Sequence, residues 1–191
     1  MGQEIDKLAR FVAETQLEQI PEPVRDHAKL VLLDTLGVIL AGSERPELRD
    51  LREQLAPTAG NGATVYARGW PTHDPRTAAL LNGIAGRAIE LCEGLRLASG
   101  QVAMQVLPGV LAVGEHSGSA GREMLAAFIL GYEAAARLAL GFTPRPLAHQ
   151  NGQALLLAAA AAGARLKGLD AAGVSRAMRI AAILMLTPSY T

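Results

Sequence analysis

A chain of 191 residues, half of them hydrophobic, carries enough apolar surface to bury one sizeable core, which argues against a disordered or fibrous protein. Eighteen basic residues balance eighteen acidic ones and no Lys/Arg stripe forms, so nucleic acid is not an expected partner. The single cysteine, Cys92, closes no intramolecular disulfide, and the opening MGQEIDKLAR lacks the basic-then-apolar order of a secretory signal; a cytoplasmic location is expected.

The first pattern along the chain is an amphipathic helix over 4–17. The next, over 23–41, has apolar residues at Val24, Ala28, Val31, Leu32, Leu36 and Ile39, spaced to put one stripe on one helical face. Pro21 and Pro23 suit its entrance, where a missing N–H is harmless, and Gly42 suits its exit. A short polar helix over 46–55 leads to a Pro/Gly/Asn loop at 57–62. Residues 63–67 (ATVYA) are the only good strand candidate, too short and isolated for a sheet.

Helical patterns resume over 75–91, 105–116, 121–140, 152–167 and 171–186, joined by short turns, so the predicted fold is an all-α helical bundle, a single unit over 1–191. Glu133 and Arg137 are spaced to pair on the narrow outer face of the 121–140 helix. The run Ala158–Ala162 has no side chain larger than a methyl and predicts close helix packing. The apolar stretches 102–113 and 154–166 are too short to span a membrane and are interrupted by Pro108, Gly109, Gly163 and Arg165. They read as core helices. Asp6 also breaks a myristoylation signal, so no membrane contact is expected.

Four stretches stand together: LDTLGVILAG at 33–42, ALLNG at 79–83, VLP at 106–108 with AVGE at 112–115, and AAAAAGARLKGLD at 158–170. In this order and near this spacing they resemble the MmgE/PrpD family, which includes 2-methylcitrate dehydratase and cis-aconitate decarboxylase. GREMLAAFILGYEAAA at 121–136 has the same look. The resemblance implies a larger protein in which a helical domain and an α/β lid enclose the active site, with this chain ending inside the helical part. It therefore implies a second polypeptide supplying the lid and further catalytic residues, and a homo- or hetero-oligomer formed through the helical domain. The implied reaction is proton transfer beside a carboxylate of a small acid: dehydration, decarboxylation or isomerisation.

Such chemistry needs an acid and a base about the carbon skeleton and cationic or N–H groups to hold the carboxylates. Where the family has an Asp-rich stretch and a threonine, this chain has ELCEG at 90–94: Glu90 at the first acid, Cys92 and Glu93 at the next two, Gly94 at the threonine. Gln101 falls at a family histidine, and glutamine cannot take and return a proton near neutral pH. His149, opening HQNG at 149–152, falls on the family's active-site histidine just before a helix, where free N–H groups suit an anion. His149 and Glu90 are the expected catalytic residues, and Gln101, Arg145, Asn151 and Gln153 the expected substrate-binding ones. Each also has an ordinary reading: His149 and Arg145 as loop residues, Glu90 in an ion pair with Arg87, and Glu93 in one with Arg96.

His27, His73 and His116 form no metal-ligand spacing, and no phosphate loop or nucleophile elbow appears, so neither metal nor cofactor is expected. The competing readings are a non-catalytic scaffold or regulatory subunit keeping the helical fold, suggested by Gly94 and Gln101, and a stand-alone helical binding module.

Overall fold

The computed structural model describes residues 2–55, 62–97, 100–141, 143 and 153–185. The described residues form eight α-helices: α1 (Gly2–Glu14), α2 (Glu22–Ser43), α3 (Pro46–Gln54), α4 (Pro75–Arg87), α5 (Val102–His116), α6 (Gly121–Gly141), α7 (Leu155–Leu166) and α8 (Ala171–Ile183), with one 3-10 turn at Leu17–Gln19. The fold is all-α. Residues 63–67 form no strand; Ala63 and His73 exchange backbone hydrogen bonds of 2.7 and 3.1 Å as an isolated antiparallel bridge. One hydrogen-bonded pair has no neighbouring strand to extend it.

Helices α5, α6 and α7 form the centre, packed on one another, with α1 and α8 closing one side and α2 and α4 the other. The core runs through Val106, Leu107 and Val110 of α5, Phe128 and Leu130 of α6, Leu155 and Ala158 of α7, and Val12 and Met178 from α1 and α8. Helix α6 is long and apolar enough to cross a membrane by composition alone. Its stretch from Ala126 to Gly131 is buried in this core instead, and on its outer face Glu133 pairs with Arg137, whose guanidinium lies 4.8 Å from the Phe11 ring centroid.

Small residues set the helix spacings. A Cβ on Gly131 would meet Val106 at 2.8 Å and Ala162 at 2.9 Å, so α6 crosses α5 and the alanine run of α7 at close range, as the run predicts. Gly42 does not end its helix, as its sequence position suggests. It lies buried in the last turn of α2, where a Cβ would come within 1.8 Å of the Ala85 carbonyl oxygen of α4.

Polar side chains tie the termini. Ser175 donates to Asp6 at 2.6 Å and Arg179 reaches the same carboxylate at 3.0 Å, joining α8 to α1. Arg165 of α7 donates to the Val12 and Ala13 carbonyls at 2.5 and 3.0 Å, satisfying acceptors that the end of α1 leaves open.

Candidate functional site

The connection from α4 to α5, residues 88–101, brings together most of the described candidates. Arg87, in the last turn of α4, donates to Glu90 at 2.6 Å, to the side-chain oxygen of Gln101, and lies 3.6 Å from Cys92 Sγ. The Cys92 thiol donates to the Gly86 carbonyl at 3.2 Å. Glu90 turns the chain with φ 53°, a left-handed conformation that a non-glycine residue adopts at some cost. Its side chain is 63% exposed against 29% for Arg87, so it sits at the surface in an ion pair. The Arg87/Glu90 spacing anticipates this pair; the matching one between Arg96 and Glu93 does not form.

Glu93 points inward. Its carboxyl accepts the Ala103 N–H in the first turn of α5, with the Val102 N–H and the Tyr132 hydroxyl of α6 also interacting with it. Burial pushes this carboxyl above its ordinary value; the Ala103 N–H and Tyr132 act in the opposite sense, and the Asp34 charge on α2 adds to the rise. Its second oxygen, Oε2, is buried without a hydrogen-bond partner among the described residues. Burial, then the Glu93 charge, drives the Tyr132 phenol up to about 12. A half-buried carboxyl with a spare acceptor, a phenol and the positive end of a helix can hold and pass a proton beside an anion.

The sequence offers Glu93 as one of two acids, with Glu90, in the stretch that resembles the family's Asp-rich one, but only the fold shows which faces inward. The signal available was its place nine residues before α5, close enough to fold back onto that helix's free N–H groups.

Beside this connection an open groove of about 810 Å³ runs between the start of α3, α4, α5 and the start of α7. Leu80, Ile84, Pro108 and Leu156 give it apolar walls, and Arg87 and Arg45 stand on its lining. Arg87 thus belongs to both the polar cluster and the groove. Gln153 is buried two residues before α7. Arg145, His149 and Asn151 lie outside the described residues. No group of three or more His, Cys, Asp or Glu residues able to hold a metal occurs among the described residues.

A second polar network explains two of the motifs. Asn82 of ALLNG accepts the Tyr66 N–H and donates to the Thr64 carbonyl, both at 2.9 Å. Glu115 of AVGE accepts the Thr64 N–H at 2.6 Å and the Tyr66 hydroxyl at 2.5 Å. Both side chains hold segment 63–67 against α4 and α5, a structural use. His73 is buried at the end of the same segment's bridge, with neither ring nitrogen hydrogen-bonded among the described residues.

The described residues thus form an all-α bundle in which a half-buried carboxyl and an arginine share one interhelical connection. The chain belongs to the MmgE/PrpD N-terminal domain family, which matches residues 6–187. A search of curated proteins finds no match.

Proposed function

We propose that this chain is the helical subunit of an MmgE/PrpD-like enzyme, acting with a second, lid-bearing polypeptide on a small carboxylic acid by proton transfer. The supporting observation is the inward-turned Glu93 beside the start of α5, on the connection that the family resemblance links to chemistry. In this reading Glu93 takes the proton-holding part first considered for Glu90, because Glu90 is exposed and held by Arg87. His149 supplies the complementary acid or base, and Gln101, Arg145, Asn151 and Gln153 contact the substrate. Arg87, on the groove lining, offers two N–H groups to a carboxylate when Glu90 and Gln101 yield them.

A second reading is a scaffold or regulatory subunit without chemistry. The Arg87–Gln101 bond favours it, since Gln101 there serves to fix the connection.

The test is deuterium exchange in D2O. The complex purified from its native source is incubated with a panel of small di- and tricarboxylates, and incorporation beside the carboxylate is followed by proton NMR. Exchange that is lost in Glu93→Gln and in His149→Ala supports the enzyme. No exchange on any acid, from a complex of fixed stoichiometry, supports the scaffold.

A further inference from the structure

The groove beside the 88–101 connection has a charged end and an apolar end. Helices α4 and α5 border it antiparallel: a Cβ on Gly86, near the end of α4, would meet the Met104 side chain at the start of α5, and Ala78 and Leu81 share a core cluster with Ala112 further along α5. Leu48, at the start of α3, packs with Ala85 and Met104, so Arg45 and Arg87 line the groove at the same end. Away from them α4 and α5 contribute Leu80, Gly83, Pro108 and Gly109, and Leu156 of α7 adds a further wall. Leu80 and Leu156 are 56 and 41% exposed, so both carry apolar surface that a ligand would cover. A Cβ on Gly83 or Gly109 would meet nothing within 4 Å, so the groove is open where both helices lack a side chain.

From this polarity we infer that the groove takes a monocarboxylic acid with an unbranched apolar chain, its carboxylate at the arginine end and its chain running along Ile84 and Leu80. A citrate-like acid would set a further carboxylate against Leu80 and Pro108, where the described lining carries no cation, and desolvating that charge is costly. Arg45 pairs with Glu47 at 3.2 Å and Arg87 with Glu90 at 2.6 Å, but each acid is more exposed than its arginine. Such surface pairs contribute little, and a ligand carboxylate held in the less wet groove competes with them. Leu80 stands two turns before Arg87 on the same face of α4, about 10 Å along the helix, which is the length of an extended chain of about eight carbons. The volume of about 810 Å³ lies within the range of small-molecule sites.

The inference rests on the proposed role of Arg87 in holding a carboxylate and narrows the substrate to acids with an apolar chain. It is read by binding and needs no turnover, so its failure is distinct from a failure of the exchange assay.

Isothermal titration calorimetry of the full chain with acetate, butyrate, hexanoate, octanoate and decanoate, and with citrate for comparison, tests it. Affinity is expected to rise about two- to threefold per added methylene, as for a chain covered on one side, and to level off near about eight carbons, with citrate weaker than octanoate. Gly109→Leu puts a side chain into the groove. It should keep the circular dichroism and unfolding midpoint of the parent, weaken octanoate at least about tenfold and leave butyrate within about twofold. Gly83→Leu fills the same groove from α4 and should weaken octanoate likewise, whereas Arg87→Gln should weaken every chain length by a similar factor. An affinity indifferent to chain length, octanoate binding untouched by both leucine variants, or citrate as the tightest ligand overturns the proposal.

Discussion

The Tyr66 hydroxyl donates to Glu115 Oε1 at 2.5 Å, joining an irregular segment to the last turn of α5. Burial, with the adjoining Glu115 carboxylate, raises the phenol well above its ordinary range, so the tyrosine stays the donor at any accessible pH. Tyr66→Phe keeps the ring and leaves one carboxylate oxygen short of a partner. The expected loss is about 1.5–3 kcal/mol, the range for a hydrogen bond to a charged group, read by urea denaturation.

Gly42 and Gly83 make a contrasting pair. In Gly42→Ala the added methyl meets the Ala85 carbonyl at 1.8 Å, so α2 and α4 must move apart at about 1–3 kcal/mol or more. In Gly83→Ala the methyl meets nothing within 4 Å, and the helix gains about 0.5–1 kcal/mol from alanine's lower conformational entropy loss. Melting temperatures moving in opposite directions confirm the tight α2–α4 crossing; a neutral Gly42→Ala contradicts it.

Glu93 gives a pH prediction of definite sign. Its folded pKa lies above its ordinary 4.5, so between the two the native chain holds a proton that the unfolded chain has released. The contribution of that proton is present below the unfolded value and is lost as pH rises through the folded one. Glu93→Gln keeps an oxygen for the Ala103 N–H and removes the charge. Its stability relative to the parent should therefore grow from pH 4 towards 7, as followed by urea midpoints; a difference flat with pH contradicts the buried placement. Comparing parent with variant cancels Asp6, whose carboxyl the Ser175 and Arg179 hydrogen bonds hold low.

Arg165→Ala removes both donors to the Val12 and Ala13 carbonyls. Burial lowers the guanidinium's pKa, which reflects the desolvation its two carbonyl bonds offset. The variant should lose about 1.5–3 kcal/mol, and amide exchange should quicken in the last turn of α1 while α6 keeps its protection. Uniform acceleration across all helices would instead mean that α1 does not open by itself.

The helices were legible because each is written locally: Pro46 and Pro75 open α3 and α4, Asp74 and Asp170 cap α4 and α8 through their carboxylates, and apolar residues recur at the helical period. The predicted helix over 75–91 nevertheless runs four residues past Arg87, because the left-handed turn at Glu90 and the inward path of Glu93 are set by contacts with α5 and α6. The purpose of Gly42, Asn82 and Glu115 was likewise hidden, since their partners lie far along the chain.

Composition and periodicity by themselves determined an all-α, neutral chain, and the motifs determined its family, because helix formation and family pattern are carried by neighbouring residues. Which of two nearby glutamates turns inward, which leucines of α2 stay bare, and where Arg87 finds Gln101 were decided only by tertiary structure. Burial and charge at a residue depend on what other helices bring beside it, and that is fixed when α2, α4, α5 and α6 pack.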